Sequence, residues 1–346
     1  MSLLNQSSIF ATLAEACTAA GVSIPVKSTS PGRWSYTSVE GKKSGNGAGR
    51  VKVFSDGKGG IVWNWVTGEK VIWFDDWGKK VSPEEFRRRS EELKAHLLKA
   101  QKEERRQHTA AARLARFIFE KANGVGFAVL ADHPYINRKR VTPVRPMGVI
   151  PAAEIQEIFN RAYPKIEPDR YPANPVRLWD FKAGAPMVGD VLVIPLFSID
   201  SGLKLQSLEL ISENGGKYAL PGAMAAGAFW LPSMPPTMPQ RVGIAEGVAT
   251  ALSISEVKGF PVAAARSCGN LKATARALRR LFPLSRLVVC GDVGNGSQFA
   301  KEAADEVGAG IVFPAFTDEL RAMFKARTGG ESPTDFNDFY IATGEI

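Results

Sequence analysis

The stretch Val242-Gly-Ile-Ala-Glu-Gly-Val-Ala-Thr-Ala251 decides the fold. Val242 to Ala245 is a short apolar run closed by Glu246-Gly247, which reads as a buried strand rather than a helix. A helical pattern follows from Val248 to Val257. The alternation then repeats: strand Pro261 to Ala264, basic amphipathic helix Leu271 to Phe282, strand Leu287 to Cys290, helix Gln298 to Val307, strand Gly310 to Phe313. Strands alternating with helices across short turns predict a parallel sheet with helices on both faces. The fold class expected for the chain is therefore α/β and multi-domain, with this sheet over residues 241–346.

Ligands gather outside the carboxyl ends of the strands in open parallel sheets. Here those ends carry acids: Glu246 after the first strand and Asp292 after the third. Thr334-Asp-Phe-Asn-Asp338 adds Asp335 and Asp338. Taken singly, each has a structural use. Glu246 suits a helix N-terminus, Asp292 a glycine-rich turn, and Asp335 and Asp338 a turn and a cap. Taken together they fall on successive elements of one sheet, and converging carboxylates repel unless a cation sits between them. Oxygen donors of this kind suit Mg²⁺, which takes one or two protein carboxylates and keeps water or phosphate for the rest. Such ions support phosphoryl transfer by stabilising attacking and leaving oxygens.

Upstream, residues 122–240 read as a mixed α+β region. Asp190 to Asp200 is a strand, Ser201-Gly202 a turn and Leu203 to Ile211 a second strand. Asn214-Gly-Gly216 is a hairpin signal, and Pro232 to Pro239, with four prolines, an extended linker. Residues 81–121 are a charged helical run opening at Pro83-Glu-Glu85, in which arginine and lysine alternate with glutamate. That pattern fits a solvated helix held by ion pairs or a basic strap against nucleic acid. Residues 1–80 read as a short helical pattern, Ile9 to Ala20, followed by a small β-rich module with many turns. Its tryptophans, Trp63, Trp65, Trp73 and Trp77, form either a small core or a stacking surface.

The chain has 346 residues, 45% hydrophobic and 23% charged, with a formal net charge of +9. The basic balance favours polyanionic partners through phosphate contacts. Its three cysteines, Cys17, Cys268 and Cys290, form no CxxC pair. Neither a disulfide framework nor a zinc finger is expected. No apolar run is long enough for a membrane helix, and Met1 to Ala20 lacks the pattern of a secretory signal. A cytoplasmic location with no membrane partner is expected.

The acidic motifs also carry a resemblance. Val242 to Ala251 resembles the first Toprim motif of DNA primases carried by plasmids, phages and integrative elements. Ala263-Ala-Ala-Arg-Ser-Cys-Gly-Asn-Leu271 resembles the second strand and its turn. Leu287-Val-Val-Cys-Gly-Asp292 is similar to the strand leading to the DxD motif, and Thr334 to Asp338 to the terminal D-[FW]-N-D motif. His133-Pro-Tyr-Ile-Asn-Arg-Lys139, Val193 to Leu196, Leu208 to Ile211 and Gly216-Lys217 resemble the upstream primase core. The likeness runs over roughly residues 130–340 and lacks the zinc module of cellular primases. Asp56-Gly-Lys-Gly-Gly60 and Trp63-Asn-Trp65 resemble a non-catalytic leader.

The resemblance implies a Toprim fold, Mg²⁺ or Mn²⁺ rather than zinc, single-stranded DNA as template and nucleoside triphosphates as substrates. It implies Glu246 near the reacting phosphate and Asp292 on the metal, supported by Asp335 or Asp338. Arg138, Lys139 and Lys217 would neutralise template or triphosphate charge, and Arg266 would reach a phosphate or lie on the surface. Tyr135 is either a core ring or a base-stacking one. Gly269 and Asn270 are expected as turn-formers, and Cys268 and Cys290 as packing residues. One departure stands out: Gly294 occupies the place of the second DxD aspartate, and Asn295 follows it. Metal affinity is then weaker, or Asp335 and Asp338 take over.

Three functions follow for test. The first is a primase making short RNA primers for plasmid or phage replication. The second is a degenerate Toprim protein that binds single-stranded DNA, beside a helicase or another replication protein. The third is a Toprim nuclease.

Overall fold

The computed structural model describes residues 9–26, 29, 31–32, 34–42, 44–54, 57–67, 69–75, 83–166, 176–224, 226–235, 237–294, 296–329 and 332–346, with part of the side chains over 83–100. Asp56, Gly68, Trp77 and Asn295 lie outside the described residues. By contact the chain forms two compact units, Met1–Glu103 and Glu104–Ile346. Among the described residues no helix is long and apolar enough to cross a membrane.

In the first unit the expected helix is shorter than Ile9 to Ala20. Ile9–Phe10 is instead a strand, β1, parallel to Ile72 and Trp73. The reason is local: Thr12 and Glu15 form a capping box that starts helix α1 at Leu13, and it ends at Ala19. The strands β2 (Trp34–Thr37), β3 (Gly49–Val53), β4 (Gly59–Asn64) and β5 (Lys70–Phe74) complete a five-stranded sheet in the order β1-β5-β4-β3-β2. Period-2 alternation divides its faces. Val51, Val53, Val62, Val71 and Trp73 pack under α1 against Ala16, Cys17 and Ala20. The other face carries Ile61, Ile72 and Phe74.

Helix α2 runs from Pro83 to Asn123, and the division between the units falls within it. The short helices α3 (Phe127–Ala131) and α4 (Pro134–Lys139) follow, then β6 (Gly148–Pro151), α5 (Ala152–Ile166), the short pair β7 (Trp179–Asp180) and β8 (Ala185–Pro186), and β9 (Asp190–Ser198), β10 (Lys204–Ser212) and β11 (Lys217–Ala219). The last three form an antiparallel sheet with β6 in the order β11-β10-β9-β6. The uninterrupted apolar run of β9 follows from burial on both faces. Val191 and Val193 pack against α5 and the end of α2, through Ile155, Phe159, Leu114 and Ile118. Leu192, Ile194 and Leu196 pack on the opposite side with Leu130, Tyr135 and Ile136.

The remaining elements are β12 (Arg241–Ala245), α6 (Val248–Lys258), β13 (Val262–Ala264), α7 (Leu271–Leu281), β14 (Arg286–Cys290), α8 (Ser297–Val307), β15 (Gly310–Val312), α9 (Asp318–Thr328) and α10 (Phe336–Thr343). Each of the strands and helices read from the sequence here agrees to within a residue or so. The sheet is wholly parallel, in the order β13-β12-β14-β15. Helices α7 and α8 cover one face through Leu271, Ala275, Leu278, Ala300 and Ala304, and α6 covers the other through Val248, Ala251 and Leu252. Bridges Phe197↔Phe229 and Trp230↔Ala264 stitch the antiparallel sheet to the parallel one. Residues on β9 to β11 thereby come alongside the ends of β12 and β14.

Candidate metal and nucleic-acid site

Glu246 follows β12 directly, and its carboxylate accepts a hydrogen bond from the Cys268 backbone N–H. Asp292 stands two residues beyond β14. The close approach of α8 and Phe313 needs Gly291 there, since a side-chain carbon would overlap the Phe313 ring and come within 2.9 Å of Ala300. Asp335 is the N-cap of α10 and accepts from the Asp338 N–H at 2.9 Å. A backbone hydrogen bond from Val293 to the Thr334 carbonyl, 2.8 Å, draws the Asp335 segment beside Asp292.

The carboxylates act on one another. Burial first, then the charges of Asp335 and Glu246, push Asp292 up to about 8. Burial also raises Glu246, against the pull of the Lys217 ammonium. Asp335 is raised by burial and by Asp338, with Lys139 opposing. One oxygen of Asp292, Oδ1, is buried without a hydrogen-bond partner. The space over Gly296 is bordered by both acids: a side-chain carbon there would lie 3.5 Å from Glu246 Oε2 and 3.8 Å from Asp292 Cβ.

Two cations answer this charge. Lys139, at the end of α4, reaches Asp338 Oδ1 at 3.2 Å. Burial pulls its ammonium down, but Asp335 and Asp338 outweigh that and hold it charged. Lys217, at the start of β11, is held charged above all by Glu209, and further by Tyr135, Glu246 and Asp335. Its Nζ is 3.6 Å from the point where Gly247 would carry a side chain. The hairpin that presents Lys217 is built on the buried Asp180, which accepts from the Ser212 hydroxyl at 2.6 Å and from the Lys182 and Ala183 N–H groups.

Beside the acids opens a cleft of about 800 Å³ lined by Arg138, Lys139, Arg140, Lys182, Lys217, Arg327, Asp335 and Asp338 among others. The structure thus brings together Glu246, Asp292, Asp335, Asp338, Lys139 and Lys217. Arg138 lines the outer part and donates to the Glu213 carbonyl at 2.8 Å. Arg266 does not line the cleft; it follows β13 with a φ of 74°. Tyr135 is a core ring, 4% exposed. Asn270 is buried and holds the Gly227 N–H and the Ala228 and Ala265 carbonyls.

Sequence reasoning missed Glu209, Arg140, Lys182, Arg327 and Asn337. Glu209 carried a usable signal: a lone acid in the alternating strand Leu208-Glu-Leu210, on the face that Ile211 shows to be core. Asn337 is fully buried and donates at 2.8 Å to both the Lys139 carbonyl and the Ser253 hydroxyl.

The donor set fits a hard divalent cation: carboxylate oxygens, one of them orphaned, with neither histidine nor thiolate among them. Among the described residues no group of three or more His, Cys, Asp or Glu side chains stands in an arrangement that could hold a metal ion.

Residues 241–345 match the family model described as Toprim domain. This part of the chain is a Toprim domain. Among curated proteins, the chain is 33% identical over 141 residues to a DNA primase TraC of Escherichia coli, covering 37% of this chain and 13% of that protein. To a second DNA primase TraC of the same organism it is 31% identical over 145 residues, again 37% of this chain and 10% of that protein. The matched part is thus a small fraction of those relatives. Among solved structures, the RNA polymerase domain of Mycobacterium tuberculosis primase DnaG is similar at 13% identity and TM-score 0.39, over 69% of this chain and 80% of that one. The primase fragment of the bacteriophage T7 primase-helicase is similar at 16% identity and TM-score 0.30, over 38% and 56%.

Proposed function

We propose that the chain is a DNA primase that makes short RNA primers on single-stranded DNA by divalent-metal-dependent nucleotidyl transfer, in plasmid or phage replication. One observation carries this reading: four carboxylates on the ends of neighbouring elements converge beside a cleft lined by six lysine and arginine side chains. Glu246, Asp292, Asp335 and Asp338 would hold Mg²⁺ or Mn²⁺, which supplies Lewis-acid stabilisation of phosphoryl oxygens. Lys139 and Lys217 would neutralise a triphosphate or template phosphate as point charges, and Arg138, Arg140, Lys182 and Arg327, which line the same cleft, would extend that surface along a strand. Glu246, raised by its burial, would hold or accept a proton near the reacting phosphate. In this reading residues 241–346 are the catalytic domain and 122–240 the rest of the core. Residues 81–121 are the connecting helix and 1–80 an accessory module, and a helicase or other replication protein is the partner.

The test is primer synthesis on mixed-sequence single-stranded DNA with all four NTPs and Mg²⁺ or Mn²⁺, comparing the natural chain with E246Q and D292A. Oligonucleotide product that both substitutions abolish supports the reading; product that survives them sinks it. Gly294 in place of a second DxD aspartate favours a second reading, a single-stranded DNA-binding accessory factor with a degenerate metal site. Undiminished DNA binding by D292A without added metal, together with no primer synthesis by the natural chain, would favour it. Nicking of labelled DNA in Mg²⁺ without NTPs would point to a nuclease.

A further inference from the structure

The first unit carries a row of side chains that the proposed primer synthesis does not use. On the sheet face turned away from α1, Tyr36 on β2 is paired in register with Arg50 on β3, Arg50 with Trp63 on β4, and Trp63 with Lys70 on β5. The row alternates aromatic, cation, aromatic, cation. The rings and charges are in contact. The Arg50 guanidinium lies 3.7 Å from the Trp65 ring centre, 5.3 Å from that of Trp63 and 5.4 Å from that of Tyr36. The Lys70 ammonium lies 4.0 Å from the Trp63 ring centre. The next row adds Trp34, 6.3 Å from Trp63, with Lys52 at 5.8 Å from its ring.

Two features separate this surface from a core. Tyr36 and Trp65 remain 41% and 39% exposed, whereas Trp73, on the α1 face, is 5% exposed. The pleat also places three cations, Arg50, Lys52 and Lys70, on one face, interleaved with the rings. Core packing explains Trp73, buried under α1, and Trp34, packed against Phe54, Ile61, Ile72 and Phe74, but leaves Tyr36 and Trp65 partly exposed. Rings that offer a face, interleaved with cations at strand spacing, match a polyanion carrying flat unpaired bases: phosphates take the charges and bases take the rings.

We infer that this face of the first unit is a binding site for single-stranded nucleic acid, with Tyr36 and Trp65 as stacking platforms and Arg50, Lys52 and Lys70 as phosphate contacts. Duplex DNA is a poor occupant, since its bases are already stacked. The inference is separate from the carboxylate site and holds whether or not that site is active.

The experiment uses the full chain and a 5-iodouracil-substituted single-stranded DNA probe of about 16 nucleotides, the upper end of the site sizes common for such grooves. After irradiation, adducts are mapped by peptide mass spectrometry. Adducts within residues 34–70, competed by unlabelled single strands and not by duplex, are expected. In parallel, Y36A and W65A are each expected to weaken probe binding by about tenfold, the order of one lost base stack, while W65F retains it. Because mapping is done on the natural chain, a variant that misfolds does not decide the outcome. Adducts confined to residues 104–346, or equal competition by duplex, overturn the inference. The D292A chain keeps the N-terminal adducts even where primer synthesis is lost, so failure of the catalytic reading is visible separately.

Discussion

The side-chain amide of Asn337 lies 2.8 Å from the backbone carbonyl of Lys139, a residue 198 positions earlier in the chain. The same nitrogen lies 2.8 Å from the Ser253 hydroxyl. One buried amide thus joins α10, α4 and α6, and through them the Asp335 and Asp338 carboxylates to the Lys139 ammonium. N337A removes both hydrogen bonds and leaves a buried carbonyl unpaired. A loss of about 1–3 kcal/mol is expected, measured by urea unfolding. Primer synthesis should fall further than this stability loss explains, because the 3.2 Å Lys139–Asp338 pair loses its backing.

Gly216 sits against the Asp180 carboxylate so closely that any added side-chain carbon would overlap it. Its N–H also donates to the Ser212 hydroxyl at 2.9 Å. G216A must therefore break the Asp180–Ser212 network that shapes the turn before Lys217. A destabilisation of about 2 kcal/mol or more is expected, as for other disrupted buried networks. D180N, which keeps the shape and loses the charge, should cost less. Chemical denaturation of the two variants side by side checks the order; a G216A chain as stable as the natural one would show that the turn relaxes freely.

Much of the parallel sheet was legible because each element announced itself locally. Val242–Ala245 and Leu287–Cys290 are short apolar runs ending in an acid next to glycine, or one residue past it, and the helices between them have clear periodicity. The acids Glu246 and Asp292 were legible for the same reason, since strand ends in such sheets point at ligands. Glu209 was legible only as a lone acid in an apolar strand, and Asn337 not at all, because their meaning lies in partners on other elements. Nothing local tells that Glu209, 2% exposed, faces Lys217, or that Asn337 faces Lys139. In the first unit, Trp63, Trp65 and Trp73 look alike in sequence, and only the register of β4 and β5 sends Trp73 under α1 and the other two outward.

The Glu209 charge is the largest influence on the Lys217 ammonium, and Glu209 Oε2 is buried without a hydrogen-bond partner. K217M should destabilise by leaving Glu209 and Glu246 without their cation, whereas E209Q/K217M should recover part of that loss. A double-mutant cycle is expected to return a favourable coupling of about 1 kcal/mol, modest because the two charges act through space and Lys217 is also open to solvent. Additive effects in the cycle would show that Glu209 does not position Lys217. In primer synthesis, E209Q should raise KM for NTPs more than it lowers kcat, as expected for a residue acting through a binding group.

Cys17 lies under the sheet of the first unit, 1% exposed, and burial pushes its thiol from 9.0 up to about 11. The sign of the pH effect follows. The unfolded chain releases this proton near pH 9 and the folded chain only near 11, so the folded state is favoured fully below 9 and loses that advantage as pH rises from 9 to 11. The melting temperature of the first unit should therefore fall over that window in the natural chain and fall less in C17A, followed by tryptophan fluorescence. The same burial keeps the thiolate scarce at neutral pH, and the thiolate is the nucleophile. Iodoacetamide on the native chain should then modify the half-buried Cys268 first and leave Cys17 and Cys290 until denaturant is added. Early labelling of Cys17 would mean that α1 opens from the sheet under native conditions, and with it the packing that holds the opposite aromatic row in register.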